Sequence, residues 1–279
     1  MDDKSKIELA LKVATLYYRD GWNQSDIATE LNISRATVSR LLQFGRDRGL
    51  VTIKIHNPVA PLHQLEVDLL AKYPSLHKII IVPGTDDPLE EVGAAGAKYI
   101  EQVVEDKDII GLGWGKTVYQ VGLHLKPKDV TDITVVQMKG SMANTNTRNY
   151  AFETVNIFAN AFNTVPQYLP LPVIFDHAKT RELVANDTHI KHIMKLGEQS
   201  SIAVFTVGTV RDSALLFKLG YFTKQEQLTL QHEAVGDVFS RFIDSKGQIV
   251  NEDINQRTIG IALPELRKKK HSILVAANV

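Results

Sequence analysis

Three stretches of the chain carry residue types whose spacing suits chemistry. Lys139 follows the apolar run Ile133-Thr134-Val135-Val136-Gln137-Met138 and precedes Gly140-Ser141. A lysine held partly out of water loses some preference for its charged form, and the neutral amine is the species that attacks an aldehyde carbon. The plain alternative is a solvated lysine at a strand end. Upstream, Gly111-Leu112-Gly113-Trp114-Gly115-Lys116-Thr117 leaves a strand-like pattern and opens a helical one. Glycines there let backbone N–H groups approach an anion, the helix start adds positive potential, and Lys116 and Thr117 add a charge and a hydroxyl. The spacing matches neither GxxxxGK[ST] nor GxGxxG, so close strand–helix packing competes with anion binding. Trp114 reads equally as a ligand-stacking ring or a core residue.

The third stretch is QSDIATELNISRATVSRLLQ, residues 24–43. Asn23 with Asp26 marks a helix start, Ala28 suits a close helix crossing, and Leu31 and Ile33 fill a turn. Ser34 then caps a second helix anchored by Val38, Leu41 and Leu42. Ser34, Arg35, Ala36, Thr37, Ser39 and Arg40 remain on or near the outer face. This is the layout of a helix-turn-helix whose second helix enters a DNA major groove. Arg35 or Arg40 suits guanine O6 and N7, the Ala36 and Thr37 methyls suit thymine, and Gln24 and Ser34 suit phosphates. Residues 34–54 hold five basic side chains against the single acid Asp47, a local charge of +4 within a chain of 32 Lys+Arg and 32 Asp+Glu. A basic stripe of this kind serves a polyanion even where the rest of the chain cancels it. The competing reading is an amphipathic three-helix unit with a solvated arginine face.

The elements that hold these groups follow from periodicity. The 279 residues, 44 % hydrophobic, are enough for two domains, and the absence of cysteine excludes disulfides, thiolate metal sites and a cysteine nucleophile. No run approaches the roughly 18 apolar residues of a membrane span, and the N-terminus is charged where a signal peptide turns apolar, so a soluble cytoplasmic chain is expected. Residues 1–56 read as a helical DNA-binding unit in which Trp22 packs inside and Val51, Ile53 and Ile55 form a wing strand. Residues 57–76 read as a proline-containing linker and a helix with leucines at 62, 65, 69 and 70, a possible contact with another copy. From residue 77 to 279 strands alternate with helices: strands at 79–82, 108–112, 133–138, 167–171, 202–207 and 273–276, helices at 92–104, 118–125, 152–162, 179–186 and 190–199. This predicts an α/β fold with a parallel sheet covered on both faces, whose ligand gathers at the carboxyl ends of the strands. His177, His189 and His192 lack a carboxylate partner, so no metal site is expected, and nothing calls for a cofactor. The run 267–271, Arg-Lys-Lys-Lys-His, reads as a solvated loop before the last strand.

The segments SDIATELNISRATVSRLLQ, GLGWGKTVYQ, VVQMKG, YLPLPVIFD, FTVGTVRDSALLFKLGYF, VGDVFSRFID and INQRTIGI together resemble the SorC/DeoR-type sugar-responsive bacterial regulators, in their deoxyribonucleoside-regulator branch. The resemblance implies an N-terminal helix-turn-helix, winged-helix-like, and a Rossmann-like effector domain related to sugar-phosphate isomerases and deaminases. It implies a repressor that binds operator DNA as a homodimer or homotetramer and is released by a phosphorylated sugar, for this branch deoxyribose 5-phosphate, condensed with Lys139 as an imine. By position in the family pattern, Gly113, Gly115, Lys116 and Thr117 would cradle the phosphate, with Trp114 and Gly140 beside them. Asp237 and Asn255 would accept sugar hydroxyls, although Asp237 also reads as a helix cap and Asn255 as a turn residue. Family chains continue beyond the strand resembling 272–276 with a glycine pair and a basic residue, where this chain reads Ala276-Ala277-Asn278-Val279, so a short effector domain is expected. An isomerase or aldolase is the alternative function; it needs a positioned general base, and the glycine-rich loops offer no carboxylate for one.

Overall fold

The computed structural model describes residues 3–52, 60–84, 86–141 and 148–277. The chain divides into two compact units, Met1–Ala60 and Pro61–Val279. The first holds α1 (Asp3–Ala14), which runs into a π-helical turn (Thr15–Arg19), then α2 (Gln24–Glu30) and α3 (Arg35–Asp47). Its core is Ala10, Val13 and Ala14 of α1 against Ile27, Val38, Leu41 and Leu42. Burying each such Val, Leu or Ile contributes about 1.5–3 kcal/mol. Asn23 starts α2 by accepting from the backbone N–H of Ser25 and Asp26. Asn32 turns the chain at φ 52°, the left-handed conformation that asparagine tolerates best after glycine.

One expectation for this unit is corrected, and a second is only partly described. Trp22 is 38 % exposed, because the smaller residues of α1 to α3 already fill the interior. Val51 and Thr52 are not in a strand, and the remainder of the expected wing lies outside the described residues.

The second unit begins with α4 (Ala60–Lys72), which leaves Leu65 and Val67 exposed. It continues through α5 (Pro88–Val103), β1 (Ile109–Leu112), α6 (Lys116–His124), β2 (Thr134–Gln137), α7 (Ala151–Ala161), β3 (Pro166–Gln167), α8 (Ala178–Ala185), α9 (Thr188–Gln199) and β4 (Ile202–Phe205). The last part comprises β5 (Val207–Gly208), α10 (Leu215–Lys218), α11 (Lys224–Glu233), β6 (Gly236–Val238), β7 (Arg241–Ile243), α12 (Glu252–Arg257), a 3-10 segment (Leu263–Lys268) and β8 (His271–Leu274). The main sheet is parallel throughout, in the order β3-β2-β1-β4-β8. Strand alternation sends Ile110, Leu112, Val135 and Val204 to the face packed by Ile100, Val121 and Phe158, while Val136 meets Ile193 on the other. That two-sided burial is why these strands read as unbroken apolar runs. A small antiparallel sheet, β5-β6-β7, packs with α10 to α12 around Leu219, Leu230, Phe242 and Ile254. Among the described residues no helix is long and apolar enough to cross a membrane.

Several predicted strands change. Ile79–Val82 joins no ladder; the Ile81 N–H donates instead to Glu66 Oε1 of α4 at 2.7 Å. The strand at 167–171 contracts to Pro166–Gln167, since Pro170 and Pro172 have no N–H to offer a ladder. The strand at 202–207 divides, its last residue passing to the small sheet as part of β5. The final strand starts earlier, at His271. Of residues 267–271, Arg267, Lys268 and Lys270 are exposed as expected, but Lys269 donates to the Gly197 and Glu198 carbonyls at the end of α9, and His271 pairs with Ile202 in the last strand. His189 and His192 lie exposed on α9.

Candidate functional site

In the first unit the sequence-predicted groups fall around the start of α3. Ser34 accepts from the Thr37 N–H at 3.1 Å, and the two hydroxyls lie 2.9 Å apart, so both side chains also serve the helix cap. Arg35, Ala36, Ser39 and Arg40 are exposed, Thr37 and Gln24 half-buried. Arg40 Nε reaches the Ala36 carbonyl at 3.3 Å. Neither Arg35 nor Arg40 forms an ion pair among the described residues, which leaves both guanidinium groups available to an incoming polyanion.

In the second unit β1 and β4 lie side by side, with β2 and β3 on one flank and β8 on the other. Connections diverge there, the point at which open α/β sheets place ligands beyond the strand ends. Gly113 to Gly115 leave β1 at this position. The Gly113 N–H is already spent on the Val204 carbonyl at 2.8 Å, so it cannot donate to an anion. Gly115, at φ 136°, is a conformation L-residues rarely adopt, and it starts α6 with no side-chain cap. The start of α6 therefore carries no side-chain cap and bears the exposed Lys116 and the half-buried Thr117. Trp114 resolves to the interior, its indole N–H donating to the Gly140 carbonyl at 2.7 Å.

Lys139 is 6 % exposed, more enclosed than the partial burial expected for it. Its ammonium donates to Ser240 Oγ at 3.1 Å and sits 3.8 Å from the centre of the Trp114 ring. Burial lowers its pKa from 10.5 to about 8, opposed by the charge of Asp237. Burial likewise pushes Asp237 up, opposed by Lys139 and by the Ser240 N–H, which donates to Asp237 Oδ2 at 2.9 Å. The hairpin β6–β7 makes this possible: Val238 pairs with Arg241, leaving Phe239 and Ser240 as a two-residue turn at φ 51° and 63°. Both central residues have the positive φ of a primed hairpin turn, usually supplied by Asn-Gly. Here the strain is borne by a phenylalanine and a serine and aims Ser240 at Lys139 and Asp237.

The structure brings Lys139, Gly140, Trp114 and Asp237 together, and separates Asn255 from them. Asn255 sits on α12, where its side-chain oxygen accepts from Arg241 and its amide nitrogen donates to Glu252. Three features escaped the sequence reading. Ser240 carries no signature, because its role depends on the turn. Gly208 pairs with Asp237 across β5 and β6, and a Cβ there would run into the Asp237 carboxylate. Ser141 Oγ is buried without a hydrogen-bond partner among the described residues, two residues from Lys139 on a segment that pairs through Lys139 with Gly260.

Comparison with known proteins bears on both units. The putative sugar-binding domain family matches residues 57–279, and a homeodomain-like domain matches residues 4–43. The chain is 46 % identical over 279 residues to the deoxyribonucleoside regulator of Bacillus subtilis, covering 99 % of this chain and 89 % of that one. It is 30 % identical over 285 residues to the sorbitol operon regulator of Klebsiella pneumoniae, covering 99 % and 90 %. The crystal structure of full-length SorC from Klebsiella pneumoniae superposes with a TM-score of 0.70 at 28 % identity, over 98 % of this chain and 89 % of that one. A helix-turn-helix head, a parallel α/β body and these relatives together assign the chain to the SorC/DeoR-type family of sugar-binding transcriptional regulators.

Proposed function

We propose that this regulator is a repressor of deoxyribonucleoside or sugar catabolism, released from operator DNA by deoxyribose 5-phosphate bound as an imine to Lys139. The observation that carries the reading is the Lys139 ammonium, buried beside Asp237, Ser240 and Trp114. The 46 % identity to a deoxyribonucleoside regulator supports the choice of sugar. In its neutral form Nζ adds to the aldehyde carbon of the opened sugar. The resulting carbinolamine loses its oxygen as water with the two amine hydrogens, leaving a C=N bond. Asp237, whose carboxyl burial pushes up from the ordinary carboxylate value, would carry a proton between nitrogen and the departing oxygen. The start of α6, with Lys116 and Thr117, would face the phosphate. That the relatives are named as regulators supports a binding role over turnover.

The head would bind as a homodimer or homotetramer, α3 of each copy reading one half-site, with half-sites an integral number of turns apart. Exposed Leu65 and Val67 on α4 would contribute contact between copies. Sugar binding shifts the assembly only through a difference in affinity between DNA-competent and incompetent states. The test uses the full chain with an operator fragment. Deoxyribose 5-phosphate is expected to lower DNA occupancy, and borohydride is expected to fix one sugar on Lys139, located by peptide mass spectrometry. Unchanged occupancy with saturating sugar refutes the regulatory reading; an adduct elsewhere, or none, refutes the imine.

A further inference from the structure

On the far side of the β6–β7 hairpin lies a cleft of about 1070 Å³ that none of Gly113 to Thr117, Lys139 or Asp237 lines. The end of the hairpin separates the two places: Ser240 in the turn bonds its hydroxyl to Lys139, whereas its neighbour Arg241, the first residue of β7, lines the cleft. Lys179 and Arg181 of α8, Arg241 of β7 and Arg267 of the 3-10 segment line it, against one lining carboxylate, Glu182. Arg241 is 7 % exposed, and its guanidinium is held by the carbonyls of Asn255, Gly260 and Ile261 and by the Asn255 side chain. No carboxylate bonds to it among the described residues. Burial first, then the charge of Arg181, lowers its pKa to about 10, and Glu252 opposes this. Arg181 itself donates Nε to the Thr258 carbonyl at 3.3 Å, which fixes the second guanidinium at the same void.

Two fixed guanidinium groups facing one void repel each other, and an anion between them removes that repulsion while gaining charge-assisted hydrogen bonds. We propose that this cleft is a second anion site, which takes the phosphate of a small phosphorylated metabolite independently of Lys139. The remainder of the wall fits the body of such a molecule. Gln248, Asn255 and Gln256 offer amides to hydroxyl groups, and Ile249, Leu263 and Pro264 form an apolar floor.

The test titrates inorganic phosphate into the full chain at constant ionic strength set by chloride, reading Tm and binding heat. Saturable binding to the wild type is expected. Arg181→Gln with Arg267→Gln is expected to weaken it at least tenfold, and Lys139→Met to leave it within twofold. Should the double variant fail to fold, Lys179→Glu, at an exposed position, decides instead and is expected to weaken binding several-fold. Absence of saturable binding, or equal binding by the cleft variants, overturns the proposal. So does binding lost in Lys139→Met and kept in the cleft variants, since that puts phosphate at the proposed sugar site. Failure here leaves the imine test untouched, because that test reads a covalent adduct on Lys139.

Discussion

Arg35 and Arg40 stand on the open face of a 13-residue helix, whereas the Lys139 ammonium is enclosed by Trp114, Asp237 and Ser240. The reading role proposed for the arginines rests on where helix periodicity places them. Lys139 changes its chemistry, because the same burial that hides it also favours the neutral amine. An exposed cation recognises by position; a buried one becomes reactive by environment. The two regions therefore depend on different things, local helix periodicity in one and long-range assembly in the other.

The sharpest break of that contrast is Lys139→Met. Borohydride-trapped sugar is expected to vanish while operator affinity in a gel-shift titration stays within twofold; loss of DNA binding as well would show that the two regions are not separable. Next in size, Arg35→Ala and Arg40→Ala should each cost about 1–3 kcal/mol of operator binding, the worth of a bidentate base contact. Sugar trapping should be unaffected, and a footprint identical to wild type would remove the residue from the reading face.

A third experiment concerns environment directly. The apparent trapping rate should climb as pH rises from 6 and level off above about 8, following the neutral fraction of Lys139. The folded pKa lies below the ordinary lysine value of 10.5, so the fold disfavours the charged form. The resulting destabilisation is complete below about 8 and relieved as pH rises toward 10.5. A trapping profile still rising at pH 10 would mean a solvated amine. Ser34→Ala should lower stability by about 1 kcal/mol through the lost cap of α3, seen as a lower Tm of the head. Smallest is Ser141→Ala: removing a buried hydroxyl without a partner should leave Tm unchanged or slightly higher. Sugar affinity should fall severalfold if that hydroxyl faces the ligand, and equal affinity would assign it to packing alone.

The helix-turn-helix was legible because its rules are local. A cap, a small residue, a turn and an apolar face all fall within twenty residues, and each keeps its meaning whatever the rest of the chain does. The parallel sheet was legible for a related reason, since strands buried on both faces must be apolar throughout. Ile79–Val82 shows the limit of that signal: four apolar residues suit a strand, yet the Ile81 N–H finds a glutamate of α4 first. Nothing in the sequence signalled α10 to α12 or the small sheet with the same clarity. Three-residue strands are too short to show a period, and α11, with one buried residue, has almost no apolar face.

For the candidate sugar site the division is equally plain. Lys139 and the glycine-rich turn stand out because an unusual residue interrupts an apolar strand. Ser240 and Gly208 do not, since Ser240 acts through a hairpin turn held at positive φ and Gly208 through room left for a carboxylate across the sheet. Asn255, named only through the family resemblance, lies instead on α12, held to Arg241 by a hydrogen bond that depends on how α12 docks. What the amino-acid sequence alone determined is which groups exist and which helix or strand each belongs to, because propensity, capping and periodicity act over a few residues. Which groups meet was decided only by the tertiary structure: Lys139 and Ser240 are 101 residues apart in the chain, and only the folded core brings them within hydrogen-bonding distance and strips away the water that would keep the lysine charged.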